Sequence, residues 1–162
     1  MKDIISLKQI LVAVIMTVAV FTANAQSSAE VEKVIKEIAG KYDGKDNVTC
    51  LTVAKGSGLE FVKMMFNNEF GRSFMKGVKS ITIIEYSDAP QNTCQALHRD
   101  MDVFKSMLQE FDISAEKGFS DNDFIRCFAS VSESGSISDF VVAMEEKDTK
   151  MLLYMSGTIK VE

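Results

Sequence analysis

Apolar residues recur along the chain with two different spacings, which separate predicted helices from predicted strands. Spacings of three and four residues predict a helix that begins near Ser28 and ends at Gly40, a second that begins at Ser57, and a third over residues 90–111. The third helix has the clearest apolar stripe, which consists of Cys94, Leu97, Met101, Phe104, Leu108 and Phe111.

Segments rich in β-branched and alternating apolar residues predict five strands. Two of them, over residues 48–54 and 78–86, flank the second helix, and this order implies a parallel pair with a right-handed crossover if the two strands are neighbours. The other three, over about residues 123–133, 137–146 and 150–160, are joined by short polar turns and predict an antiparallel meander.

The element order α-β-α-β-α-β-β-β predicts a single α+β domain. We expect a mixed, mostly antiparallel sheet of about five strands, with the three helices largely on one face. The other face would then be solvated or covered by a partner.

The first 25 residues have the features of a secretory signal peptide. Lys2 gives a positive start, an apolar run of 12 residues extends from Ile10 to Phe21, and Ala23-Asn24-Ala25 fits a cleavage site. This run is shorter than the roughly 20 residues that span a bilayer, so we expect no permanent membrane anchor. We predict cleavage between Ala25 and Gln26 and a periplasmic or secreted domain over residues 26–162.

Composition excludes some classes of protein. The 162 residues carry 18 Lys and Arg against 23 Asp and Glu, and the formal charge of −5 argues against a nucleic-acid partner. The hydrophobic share of 46% suffices for a buried core. A single His leaves few candidates for acid–base chemistry near neutral pH, so we expect a protein that is not an enzyme and needs no cofactor or metal.

The three cysteines, Cys50, Cys94 and Cys127, leave the disulfide pairing open. An exported protein can form one bridge among three possible pairs. The alternative is that all three are buried thiols.

In the order and sequence of its predicted elements, the chain resembles a family of small exported bacterial proteins catalogued as domain of unknown function 4252. The resemblance rests on the signal peptide that ends Ala23-Asn24-Ala25-Gln26, the strand Val48-Thr49-Cys50-Leu51-Thr52-Val53, the strand from Val78 to Tyr86, and the closing hairpins. It covers most of residues 28–161. It implies an exported, non-catalytic protein of unknown role, and it assigns no catalytic residues.

Cys94, His98 and Asp102 are spaced four residues apart on the third predicted helix. This spacing could place an imidazole beside a thiol, which is the arrangement of a thiol-dependent enzyme or redox protein. The alternative is a core thiol next to a boundary histidine, because Cys94 lies in the apolar stripe and His98 lies about 90° from its centre.

Lys55, Ser57 and Gly58 lie where the first predicted strand turns into the second helix. Free backbone N–H groups beside a lysine could hold an anion there. The alternative is an ordinary glycine turn followed by a serine cap.

Residues 61–75 contain more Met and Phe than one helix stripe needs. The candidate contact residues for a partner are Phe61, Met64, Met65, Phe70 and Phe74. This surface would bind another envelope protein or an apolar small molecule. The alternative is a helix buried deeply in the core. The leading interpretation is therefore a non-enzymatic binding or interaction protein of the bacterial envelope, whose oligomeric state stays open.

Overall fold

The computed structural model describes residues 28–70, 73–111 and 124–159. The predicted signal peptide and its cleavage site lie outside these residues. The helices are α1 (Ser28–Tyr42), α2 (Ser57–Phe70) and α3 (Gln91–Asp100), and a 3-10 helix (Met101–Ser106) continues from α3. The strands are β1 (Thr49–Val53), β2 (Gly77–Glu85), β3 (Gln109–Phe111), β4 (Phe124–Val131), β5 (Ile137–Glu146) and β6 (Thr149–Ile159).

The described strands form one six-stranded sheet in the order β1-β2-β6-β5-β4-β3, and every neighbouring pair is antiparallel. The α+β class and the antiparallel meander of β4, β5 and β6 are therefore confirmed. The count of about five strands is one too low, because β3 has three residues and is too short for a period-2 pattern to reveal.

The expected parallel pair is wrong, because β1 and β2 are antiparallel neighbours. Thr49 lies opposite Glu85 and Val53 lies opposite Ile81. After α2 the chain folds back, and the Met75 amide donates a 3.2 Å hydrogen bond to Asn67 Oδ1 on that helix. The chain therefore re-enters the sheet at the end where it left, so the helical connection acts as a long hairpin rather than as a crossover.

The single helix expected over residues 90–111 is also wrong. The α-helix ends at Asp100, the 3-10 helix follows, and the Met107 and Leu108 amides both donate to the Phe104 carbonyl at 3.0 and 2.8 Å. Residues 109–111 then pair with β4 as β3. The helical spacing of apolar residues continues to Phe111, but residues 109–111 form backbone hydrogen bonds with β4 instead of helical ones. Spacing alone does not show that a neighbouring strand is available.

The two faces of the sheet carry separate cores. Leu152 packs with Ile35 of α1 and Leu97 of α3, whereas the next residue, Leu153, packs with Leu59 of α2 on the opposite face. Two of the three helices share one face, and α2 lies on the other. The expectation that the helices lie largely on one face, with the other face solvated or covered by a partner, is therefore wrong for α2. This helix covers part of the second face.

Candidate functional site

Helix α2 has an apolar side that faces the core and a second apolar side that faces solvent. Leu59 is buried and Val62 is half-buried against the sheet. Phe61 and Met64, which are three residues apart and so share another side of the helix, are 58% and 53% exposed. We call the pair Phe61 and Met64 the α2 surface.

A third exposed apolar residue lies on the same side of the sheet. Leu51 of the edge strand β1 is 57% exposed, and it stands opposite Ile83, which packs in the core beneath α2. Alternate residues of a strand face the same way, so Leu51 and Val53 share the α2 side. Leu51 is therefore a third exposed apolar side chain on the face of the sheet that carries α2.

The candidate contact residues divide into three groups. Phe61 and Met64 lie at the surface, where a partner could reach them. Phe74 is 1% exposed and belongs to the core, because the chain after α2 folds back and carries it beneath the helix. The side chains of Met65 and Phe70 lie outside the described part of the chain.

The predicted anion-binding residues Lys55, Ser57 and Gly58 are all exposed in the turn between β1 and α2. Gly56 has a φ of +82°, which glycine adopts without strain, and its carbonyl accepts a 3.3 Å hydrogen bond from the Glu60 amide. A Cβ on Gly58 would lie 3.4 Å from Val53 Cγ1, so the helix starts in close contact with β1. A tight strand-to-helix turn accounts for these residues.

The Cys94–His98 site, which the spacing offered as an alternative to a core thiol beside a boundary histidine, is not assembled. His98 Nε2 lies 2.5 Å from Glu145 Oε1, and the imidazole stacks on Phe124 with the ring centroids 4.1 Å apart. Cys94 is buried and its thiol donates to the Ala89 carbonyl at 3.7 Å. The two side chains point to different partners because Glu145 on β5 offers the histidine a carboxylate.

Asp102 is also directed elsewhere. Arg126 on β4 donates to Asp102 Oδ1 at 3.0 Å and to the Glu110 carboxylate at 3.0 Å. The hydrogen bond from Arg126 to Asp102 holds the pKa of this carboxyl group below its usual range. Asp102 therefore ties the 3-10 helix to the sheet and does not complete a site with Cys94.

Sequence reasoning missed the polar residues that lie near His98 and Cys94. Tyr86, at the end of β2, is fully buried, and its hydroxyl has no hydrogen-bond partner of acceptable geometry among the described residues. Burial raises the pKa of Tyr86, and the negative charge of the nearby Glu145 raises it further. The Lys150 ammonium lies 3.7 Å from Cys94 Sγ. The sequence contains one sign of a polar site here, the acidic pair Glu145-Glu146 that follows the apolar residues of β5.

Comparison with protein-family models, with curated proteins and with solved structures found no match. The resemblance to the family of small exported proteins therefore stays a prediction.

The described residues, 28–70, 73–111 and 124–159, contain neither a candidate metal site nor a disulfide. Within these ranges no group of three or more His, Cys, Asp or Glu side chains is arranged to hold a metal ion. Cys50, Cys94 and Cys127 are free thiols. Cys94 and Cys127 lie in the cores on opposite faces of the sheet, so the sheet itself separates them.

Proposed function

We propose that this chain is an exported, non-enzymatic protein of the bacterial envelope that binds a partner through the α2 surface. One observation carries the proposal. Of the four large hydrophobic side chains that the described residues leave exposed, Phe61, Met64 and Leu51 lie on the α2 side, and only Val103 lies elsewhere.

Folding requires only the sheet-facing side of α2. The sheet-facing side of the helix already supplies Leu59 and Val62 to the core, so the fold does not need Phe61 or Met64. Burial of apolar surface contributes about 25 cal/mol per Å² to the free energy of association. A partner that covers Phe61 and Met64 would therefore gain binding free energy from both side chains. Met adapts its shape to many surfaces, which suits a contact residue.

The envelope location rests on the sequence. The charged start, short apolar run and small-residue site of residues 1–25 are typical of an exported protein. No helix in the described ranges has the length and apolar character to cross a bilayer. The proposal concerns the domain that remains after cleavage of residues 1–25.

Site-specific crosslinking in intact cells tests the proposal. A photoreactive amino acid replaces Phe61 in one variant and Val103 in a matched control, because both positions are exposed and lie on different faces of the molecule. We expect an adduct of defined mass, protein or lipid, from position 61 and none from position 103. Equal crosslinking from both positions, or none from position 61, would overturn the proposed surface.

A second variant separates binding from folding. Phe61→Asp combined with Met64→Asp should leave the thermal midpoint close to that of the parent, because both side chains are already in water. The same variant should lose the contact, as shown by a photoreactive group at exposed Leu51, which lies on the same side. Cooperative loss of structure in this variant would assign the two residues to the core instead.

A further inference from the structure

The α2 region differs in charge from the rest of the chain. Residues 55–79 contain five basic and two acidic residues, so this stretch carries +3, whereas the remaining residues carry −8 of the total of −5. A cationic segment in an acidic protein concentrates attraction for anions at one place.

Three of these lysines converge at one end of the sheet. Lys55 follows β1, Lys76 directly precedes β2, and Lys79 lies in the irregular start of β2. Val53 at the end of β1 pairs with Ile81 in the middle of β2, so Lys55, Lys79 and Lys76 all lie beyond this pair, toward the same end of the sheet. The first turn of α2 begins there as well, in contact with Val53.

These lysines carry uncompensated charge. Lys55, Lys76 and Lys79 are exposed, and within the described ranges none of them has a carboxylate within ion-pairing distance. Lys33, Lys36, Lys41, Lys63 and Lys105 each pair with an acid. Lys45, Lys147 and Lys150 have no such pair among the described residues, so the distinguishing feature of Lys55, Lys76 and Lys79 is that all three lie toward one end of the sheet. The lysines at this end are therefore available to an anionic partner.

We propose that the α2 surface docks on an anionic lipid bilayer, with Phe61 and Met64 entering the boundary between headgroups and acyl chains and Lys55, Lys76 and Lys79 contacting the headgroups. This inference rests on the proposed function and names its partner. Apolar side chains that protrude from a helix beside unpaired lysines are the features of an interfacial helix. A bilayer accepts such side chains without a complementary pocket, and each lysine near an anionic surface strengthens binding about fivefold.

The test measures binding of the purified protein to lipid vesicles by sedimentation. One vesicle preparation contains phosphatidylglycerol and phosphatidylcholine in equal parts, and the other contains phosphatidylcholine alone. We expect binding to the anionic vesicles only, and we expect it to weaken when the ionic strength rises from about 0.1 M to about 1 M, which shortens the screening length from about 10 Å to about 3 Å.

Matched variants assign the binding to the α2 surface. Phe61→Asp with Met64→Asp should abolish binding, whereas Val103→Asp should leave it unchanged. Lys55→Gln with Lys76→Gln should weaken binding about 25-fold, whereas Lys147→Gln, in the exposed turn between β5 and β6, should leave it unchanged. Circular dichroism of each variant checks that the fold persists.

The outcomes separate this inference from the proposed function. Failure to bind anionic vesicles, equal binding to neutral vesicles, or equal loss in the test and control variants would overturn the inference. If the protein does not bind anionic vesicles but position 61 still crosslinks to one envelope protein, the partner is that protein and the proposed function stands. If vesicle binding and crosslinking both fail, the α2 surface has no partner and both proposals fall.

Discussion

Ser28, the first residue of α1, donates a 2.6 Å hydrogen bond from its hydroxyl to Asp139 Oδ2, 111 positions later on β5. The Tyr154 hydroxyl on β6 donates to the other carboxylate oxygen at 3.0 Å. Asp139 is 2% exposed and has a φ of +50° at an irregular point of the β5–β6 pairing. One buried carboxylate thus fixes the start of α1 on the sheet.

Substitution of Asp139 should reveal the contribution of this contact to stability. Asp139→Ala leaves the buried Tyr154 hydroxyl without an acceptor and should lower the free energy of unfolding by about 1–3 kcal/mol. Asp139→Asn keeps one acceptor oxygen and a side chain that tolerates positive φ, so its effect should be smaller. Urea unfolding measures both, with the exposed Asp148→Ala as control. Equal effects of Asp139→Ala and Asp148→Ala would contradict the assignment.

The ion pair between Lys41 and Asp100 should make stability depend on acid pH. Burial alone would raise the pKa of Asp100, but hydrogen bonds from Lys41 and from the Tyr42 hydroxyl, both 2.6 Å, outweigh burial and lower it. A carboxylate with a lowered pKa stabilises the fold above its unfolded pKa of about 3.9, and the contribution disappears as the pH falls through the folded pKa.

The stability difference between the parent and Asp100→Asn should therefore be largest above about pH 4 and shrink in more acidic solution. Urea unfolding at a series of pH values measures it. Lys41→Met serves as the control background, because without the ammonium group Asp100→Asn should change the pH dependence much less. A difference that does not vary with pH would contradict the role given to the ion pair.

The three thiols should differ in reactivity. Burial, aided by the negative charge of Asp43, raises the pKa of the half-buried Cys50 to about 11, and burial raises the pKa of Cys127 as well. Since only the thiolate reacts, iodoacetamide near neutral pH should modify Cys50 slowly and reach the buried Cys94 and Cys127 only after unfolding. Mass spectrometry of the alkylated protein reports the order. Rapid native alkylation of Cys94 would instead favour the thiol-dependent enzyme that the spacing to His98 suggested.

Gly157 should resist substitution. It has a φ of +87°, and a Cβ at this position would clash with the Gly77 carbonyl oxygen on β2. Gly157→Ala should therefore lower the free energy of unfolding by about 1–3 kcal/mol, because the backbone must shift at the β2–β6 pairing. Gly40→Ala, in an open position on α1, should raise it by about 0.5–1 kcal/mol. Thermal unfolding of the two variants tests the contrast, and shifts of the same sign would contradict it.

Much of the candidate site could be located from the sequence. The excess of Met and Phe over residues 61–75 pointed to α2. Two features could not be found that way. Phe74 appeared to be a contact residue until the return of the chain placed it in the core, and Lys76 reaches the same end as Lys55 only because β1 and β2 are antiparallel.

The spacing of apolar residues located the three α-helices and five of the six strands, because a period of 2 or 3.6 is a local property of the backbone, but it did not reveal β3 or the end of α3 at Asp100. Tertiary structure alone decided which strands are neighbours, which face α2 covers and which carboxylate His98 meets. These choices depend on contacts between residues distant in sequence, such as Thr49 with Glu85 and His98 with Glu145. An apolar stripe shows that one side of a helix or strand will be buried. Packing and hydrogen bonding between distant residues decide which surface buries it.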